Sequence, residues 1–138
     1  MNNHLETMLA QHRELRELAD DYVRELSRPT PDLAKLGKCR WMLARLVSAH
    51  LAFEASHLYP ALQRLGAAAG ADGAHAASEI GQLTQALGAY VRDWTVSAIE
   101  ANWSGYAEAS KALVGRLRTR MDKEEAELYP LLRQAKAA

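Results

Sequence analysis

HLAFEASHLYPAL (residues 50–62) recurs as RMDKEEAELYPLL (residues 120–132), and this repeat decides the fold that the chain is expected to adopt. The LYP-x-L ending is kept, and so is the glutamate five positions before the tyrosine. The leading residue differs, since His50 of the first copy is replaced by Arg120 in the second. Because residues four apart lie above one another on a helix, each copy predicts a helix face that carries a basic residue and a glutamate together.

A second pair of similar segments precedes the two copies. HRELRELADDYVREL (residues 12–26) aligns with IGQLTQALGAYVRDW (residues 80–94), and the alignment sets His12 opposite Ile80. Two repeats of two helices each predict a pair of helical hairpins related by a pseudo-twofold axis. Only the first hairpin keeps its histidines at these positions.

Apolar residues recur at steps of three and four along four segments of the chain. The segments are separated by RPTP (28–31), by GAAAGADG (66–73), which is expected to be a flexible linker, and by a break at 102–105. Alanine and leucine are abundant, which favours helix. Pro60 and Pro130 should kink or end their helices, because proline removes a hydrogen bond and clashes with the preceding turn. We therefore predict an all-α, up-down antiparallel four-helix bundle with helices at about 3–27, 32–65, 74–99 and 104–135.

Composition and charge exclude several classes of protein. The 138 residues carry 17 basic and 17 acidic side chains, so no nucleic-acid partner and no anionic membrane surface is expected. No apolar run approaches the roughly 20 residues of a membrane span, and the polar first residues contain no signal-peptide core. Cys39 is the single cysteine, which excludes a disulfide framework and a thiolate zinc site. We expect one domain over residues 1–138, soluble and cytoplasmic.

Five polar residues occupy positions that the apolar pattern points into the core: His12, His50, Glu54, Arg120 and Glu124. Burying an unpaired charge is costly, so these side chains must neutralise one another or share a cation. Histidine and carboxylate groups on facing helices form metal sites in bundle cores, and these donors suit iron, zinc or manganese. The residues leave two interpretations open: a metal site, or a metal-free network in which the arginine bridges the carboxylates.

These motifs resemble those of a known family. A histidine in the first helix, H-x-x-x-E followed by LYP, and EE-x-x-LYP-x-L near the C-terminus are similar to the hemerythrin-like, HHE cation-binding proteins. The resemblance covers nearly the whole chain. It implies a four-helix bundle with two non-haem irons bridged by carboxylates, in proteins that bind oxygen or act as iron, oxygen or redox sensors and stores. It also implies metal ligands at His12, His50, Glu54 and Glu124.

The chain departs from the family pattern at one of the two irons. The last-helix histidine of the family falls on Arg120, and its third-helix histidines fall near Ala76 and Ile80. His75 and Glu79 lie one residue away from those positions. One residue turns a side chain by about 100° around a helix, so these two become alternative ligands only if the third helix shifts its register. We therefore predict at most one metal ion, with the Arg120 guanidinium as the charge partner in place of the second.

Three further side chains are expected near the ends of the bundle or against its core. His57 is expected at the mouth of the bundle, either supporting the ligands or exposed. Tyr59 and Tyr129 are predicted to pack against the core with their hydroxyls in contact with water.

Three functional hypotheses follow from these residues. The first is a cation-binding protein that holds iron, or zinc, and senses or stores iron, oxygen or redox state, with O2 as a second partner. The alternative is a metal-free bundle that serves as a regulatory or protein-interaction module, either as a homodimer or with another protein. A metal-dependent oxidoreductase is the third. The sequence shows no nucleophile triad, phosphate loop or catalytic residue set, so an enzyme is not the favoured interpretation.

Overall fold

The computed structural model describes residues 3–137, and this part of the chain is helical with short breaks. Its elements are α1 (Asn3–Leu26), α2 (Leu33–Arg64), α3 (Ala67–Asp93), α4 (Val96–Ala101), α5 (Trp103–Lys123), a π-helical segment (Glu124–Leu128) and α6 (Tyr129–Ala137). The predicted all-α class is confirmed, since no strand occurs in these residues. The predicted count of four helices was too low. The third predicted segment is divided into α3 and α4, and the fourth into α5, the π-helical segment and α6. No helix in the described range is both long and apolar enough to cross a membrane.

The predicted flexible linker at 66–73 is wrong. Only Gly66 breaks the chain, with a φ of 127° that residues with a side chain rarely adopt. Helix α3 begins at the next residue, because the alanines that follow have the highest helix propensity. Gly73 is buried, and a Cβ there would lie 3.1 Å from a methyl carbon of Leu62, so this glycine allows close approach of α2 and α3.

The predicted end of the third helix at residue 99 is also wrong, because α3 ends at Asp93. A new helix starts after Thr95, whose hydroxyl accepts a hydrogen bond from the Ala98 backbone N–H at 3.2 Å. The next helix starts after Asn102, whose side-chain oxygen accepts from the Gly105 N–H at 3.0 Å. Side-chain oxygens of this kind satisfy N–H groups that have no partner within the first turn of a helix.

The two prolines behave differently. Pro60 lies inside α2, which continues to Arg64, so of the two predicted effects this proline does not end the helix. Pro130 is the second residue of α6 and directly follows the π-helical segment, in which the Tyr129 N–H donates to the carbonyl oxygen of Glu124, five residues earlier. The regular part of the last helix is therefore interrupted before Pro130, as predicted.

The core consists of three apolar clusters arranged along the helices. The LYP core contains Leu5, Met8, Leu58, Leu62, Ala76, Leu128, Tyr129 and Leu132. The central core contains Leu15, Val47 and Met121. The tyrosine core contains Ala19, Tyr22, Leu26, Leu36, Ile99, Tyr106 and Val114. Along α1, His12 lies between Met8 of the LYP core and Leu15 of the central core, so the buried polar residues have apolar packing on both sides.

Candidate metal centre

The structure brings together the four side chains that the sequence predicts as metal ligands. His12, His50, Glu54 and Glu124 are all buried, with exposures between 0% and 3%. Each offers one ligand atom, and these atoms all lie within 4.8 Å of one another. The two imidazole Nε2 atoms are 3.1 Å apart, and the Oε1 atom of Glu124 lies 2.9 Å from the first and 3.5 Å from the second.

Each helix positions its donors in a different way. On α2, His50 and Glu54 are four residues apart, and regular helix geometry places the imidazole Nε2 3.3 Å from the Glu54 Oε2 atom. On the other side, Glu124 is the first residue of the π-helical segment. Such single π-helical turns inside α-helices are frequent at functional sites.

Two residues that the sequence analysis missed hold the outer nitrogens of the histidine rings. His12 Nδ1 donates to the Oε2 atom of Glu125 at 2.8 Å, and His50 Nδ1 donates to the Oε1 atom of Gln11 at 2.7 Å. Both acceptors leave the Nε2 atom of their ring directed into the site. The double glutamate of the EE-x-x-LYP motif is the signal that could have identified Glu125, whereas Gln11 follows only from its position beside His12.

The two Nε2 atoms require something positive near them. With Nδ1 protonated in both rings, a neutral imidazole presents a lone pair at Nε2. His12 and His50 would then direct two lone pairs at each other, beside two carboxylates that only accept hydrogen bonds. Extra protons on the rings or a metal ion relieves this repulsion.

Tyr129 corrects a prediction of the sequence analysis. Its hydroxyl is not in contact with water, because the side chain is fully buried. It donates to the Oε2 atom of Glu54 at 3.0 Å and lies 3.1 Å from His12 Nε2. Burial raises the pKa of this phenol, and the charges of Glu54 and Glu124 raise it further, so the hydroxyl keeps its proton and stays a donor.

The pKa values of the site show how strongly its charges interact. Burial by itself lowers the pKa of His50, but hydrogen bonds to Glu124 and Glu54 and their negative charges raise it to about 9. Burial raises the pKa of Glu124, but hydrogen bonds from the two histidines dominate and lower it to about 2. The pKa of Glu54 is raised, mainly by burial. In the metal-free protein, a proton on His50 therefore carries positive charge that the carboxylates require.

Arg120 lies beside the second oxygen atom of Glu124. Its side chain is 9% exposed, and its Nε atom is 3.7 Å from the Oε2 atom of Glu124. That oxygen, the Oε1 atom of Glu54 and the Tyr59 hydroxyl are buried and make no hydrogen bond to any described residue. Burial raises the pKa of Tyr59, and the charges of both glutamates raise it further, so its hydroxyl is near them and was wrongly expected to be in contact with water.

Comparison with known proteins identifies the family. A family model described as the Hemerythrin HHE cation binding domain matches residues 3–132, nearly the whole chain. The chain belongs to the hemerythrin HHE cation-binding family. No curated protein and no solved structure gives a significant match. The resemblance drawn from the repeated motifs is confirmed, and the match spans all four candidate ligands of this hemerythrin domain.

The internal repeat of the hemerythrin domain extends to the partners of the basic residues. In the alignment of 12–26 with 80–94, the residue before His12 corresponds to the residue before Ile80, so Gln11 corresponds to Glu79. Gln11 accepts from His50, and Glu79 lies 3.4 Å from the NH1 atom of Arg120. A neutral amide faces an imidazole in one half, and a carboxylate faces a guanidinium in the other half.

The other predicted ligands lie outside the cluster. His57 packs against His4, with ring centroids 4.0 Å apart, and is not part of the four-residue cluster. His75 is 76% exposed and pairs with Glu79 at 2.9 Å. Glu79 itself reaches Arg120 but none of the four donors. Helix α3 therefore has no register shift that would bring His75 inward.

The buried residues of α3 support the same conclusion. Ala76 and Ile80 are 3% and 8% exposed, and both point into the core where the family histidines were expected. The second half of the hemerythrin domain consequently offers no imidazole to a metal ion.

The donor set of the first half suits a cation. Bonds of about 2.0–2.2 Å from one ion to nitrogen and oxygen atoms place those atoms roughly 3–4 Å apart, close to the separations found here. Two imidazole nitrogens and two carboxylate oxygens match the preferences of iron, zinc and manganese. The partners of the Nδ1 atoms are those that orient histidine ligands in metalloproteins. The residues present therefore fit the cation that the family description implies.

Proposed function

We propose that this hemerythrin domain holds one divalent metal ion, iron in the first place, and acts in sensing or storing iron, oxygen or redox state. One observation carries the proposal: two imidazole Nε2 atoms lie 3.1 Å apart, each ring held through Nδ1, between two buried carboxylates. A buried group of this kind is expensive to maintain for packing alone, because apolar residues of similar volume are often as stable or more stable.

The second half of the site supports a stoichiometry of one. Arg120 contributes a fixed positive charge beside Glu124, where the repeat would otherwise offer a histidine. Glu79 neutralises it from the other side. A second cation would have to displace this guanidinium, with no imidazole available to receive it. Two irons per chain would refute this assignment.

We infer that the long helices alternate in direction and form two pseudo-symmetric hairpins. The order of the core clusters supports this arrangement. Helix α1 runs from the LYP core at Leu5 to the tyrosine core at Leu26, and α2 runs from Leu36 of the tyrosine core to Leu62 of the LYP core. Helix α5 has Tyr106 of the tyrosine core in its first turn and leads into the LYP core through the π-helical segment.

The residues around the donors prepare the site. Glu125 holds the proton on His12 Nδ1, and its own side chain is 32% exposed, so it links the buried ring to the surface. Arg16 pairs with Glu125 at 2.7 Å and, after an opposing effect of burial, the hydrogen bonds from His12 and Arg16 lower the pKa of that carboxyl. Tyr129 orients Glu54, and the LYP core excludes water from the same side. Bound iron would supply one-electron redox chemistry and coordination positions beyond the four protein donors for an external ligand such as O2.

Elemental analysis tests the proposal directly. Untagged protein from iron-supplemented cells should contain about one metal ion per chain, and His50→Ala should lose it while remaining helical by circular dichroism. Exposed His75→Ala is the matched control and should keep the metal. A stable wild-type fold without metal, even after incubation with ferrous iron or zinc, would reject metal binding and favour the interaction-module hypothesis.

Rebuilding the second half tests the role of Arg120. The triple variant Ile80→His, Arg120→His, Glu79→Gln copies the contacts of the first half and should bind close to two metal ions per chain. Arg116→His, at an exposed position on the same helix, should leave the stoichiometry at one. A triple variant that folds but still binds a single ion would show that more than these residues separates the two halves.

A further inference from the structure

A large cavity lies away from the metal centre, between α2, α3 and α5. Its volume is about 650 Å³, within the range of about 300–1,000 Å³ that is typical of small-molecule sites. Its walls are mainly aliphatic and include Val47, Leu51, Leu87 and Leu117. None of the four candidate metal ligands lines it. The cavity is therefore a feature separate from the candidate metal site.

One charged residue lines this cavity. Arg40 is half-buried, and every other lining residue is apolar, aromatic, hydroxylated or glycine. The Arg40 guanidinium lies over the rings of Tyr90 and Tyr106, at 5.6 Å and 5.7 Å from their centroids. It makes no ion pair with any carboxylate in the described part of the chain. A half-buried cation without an anionic partner attracts an anion, and its position beside aromatic rings leaves its remaining donors available.

The hydroxyl groups near Arg40 donate their protons to one another and to a backbone carbonyl oxygen, so none of these protons is available to a ligand. Ser110 donates to the carbonyl oxygen of Tyr106, so Tyr90 must donate to Ser110 at 2.5 Å. Tyr22 then donates to Tyr90 at 2.7 Å, and Tyr106 donates to Tyr22. Every hydroxyl proton is used within the chain. Arg40 is thus the charged group at this end that can donate hydrogen bonds to an incoming anion.

The cavity extends from this polar end along an apolar wall. Arg40 and Leu51 are both lining residues and are eleven positions apart on α2, which corresponds to about 16 Å of helix. Trp41 and Val91 line the cavity as well and are 59% and 60% exposed, so a small molecule can enter from solvent. A cavity with one charged end and a long apolar wall favours a ligand that has one charged group and one long apolar chain.

We propose that this cavity binds a small anionic amphiphile, a medium-chain carboxylate in chemical class. Its carboxylate pairs with Arg40, and its alkyl chain lies among the leucines of α2, α3 and α5. A bidentate contact between guanidinium and carboxylate fixes the orientation of the ligand, and burial of its alkyl chain provides most of the binding free energy.

Calorimetric titration of the full chain with decanoate, below the concentration at which it forms micelles, tests the charge requirement. Wild-type protein should bind one decanoate in a saturable reaction, and Arg40→Gln should weaken binding about tenfold or more, since it removes the charged hydrogen bonds to the carboxylate. The same substitution should leave binding of the uncharged decanol unchanged. Arg64→Gln, at an exposed position of α2 outside the cavity, is the matched control. Metal-loaded and chelator-treated protein should behave alike.

A second pair of variants tests the location. Gly88 lines the cavity at the centre of the α3 face, and a Cβ there meets no atom closer than the end of Arg92, at 3.7 Å. Gly88→Leu should therefore fold and abolish binding of both probes, whereas Gly81→Leu, two turns earlier on α3 and outside the cavity, should bind normally. Absence of saturable decanoate binding, or equal binding by wild type and Arg40→Gln, would overturn the proposal. The proposal would also be overturned if the protein formed a dimer through the cavity face and Gly88→Leu dissociated that dimer.

Discussion

Substitution of Glu125 tests whether the site is organised as a metal centre. The Glu125 carboxylate accepts the Nδ1 proton of His12 at 2.8 Å and is held in turn by Arg16 at 2.7 Å. Glu125→Ala removes this acceptor while leaving all four donors in place. His12 is fully buried, so its Nδ1–H would lose its only hydrogen bond from that side and the ring could rotate.

The size of the effect follows from this contact. Loss of a partner that orients a histidine ligand typically weakens metal affinity by about 10- to 100-fold. Glu125 is about one-third exposed, and water can replace part of the lost hydrogen bond, so we expect the lower half of that range for Glu125→Ala. Glu125→Gln keeps an acceptor oxygen and loses only the charge, so its loss should be smaller.

Competition with a chelator of known affinity measures these differences. Ferrous iron under anaerobic conditions and zinc in air should give the same ranking of Kd, with wild type tightest, Glu125→Gln next and Glu125→Ala weakest. Glu127→Ala is the control, because Glu127 is exposed in the same π-helical segment. Equal Kd values for Glu125→Ala and Glu127→Ala would refute the argument that the Nδ1 contact orients His12 for a cation.

Two further predictions concern the metal-free protein. Tyr129→Phe should lower the free energy of unfolding by about 1–3 kcal/mol, because the buried Oε2 atom of Glu54 loses the hydrogen bond that Tyr129 donates. Tyr59→Phe should change it little, because the Tyr59 hydroxyl makes no hydrogen bond to any described residue. Thermal denaturation compares the two variants, and equal losses would contradict this assignment. Stability should be highest near pH 4.5. Above it, the raised pKa of Glu54 and then that of His50, which lies at about 9, contribute stability that is lost as pH rises. Below it, the lowered pKa of Glu124 contributes stability that is lost as pH falls through about 2. The pKa shifts of His50 and Glu124 each contribute about 3 kcal/mol to the free energy of unfolding when fully expressed. Urea denaturation from pH 3 to 9.5 measures this free energy, and a value that did not change with pH would contradict the prediction.

Local periodicity was sufficient to predict the inward-facing donors. His50 and Glu54 are one helical turn apart, and the apolar residues on either side of them determine which face is buried, so their contact at 3.3 Å was foreseeable. The same reasoning made His75 a ligand only if the third helix shifted its register, and the structure places this side chain in solvent, one residue from the buried Ala76. It failed at the 66–73 segment, where helix propensity outweighed the glycines.

The sequence by itself determined the helical class, the family, the four converging donors and the incomplete second half. These properties depend on residue type and on spacing within one helix, or on one repeat compared with the other. Only the tertiary structure decided which residues complete the site. Glu125 contacts His12 across 113 positions of the chain, and Gln11 contacts His50 across 39. The cavity beside Arg40 likewise exists only where three helices meet. Contacts of this kind depend on how the helices pack and rotate against one another, which no periodicity within a single helix specifies.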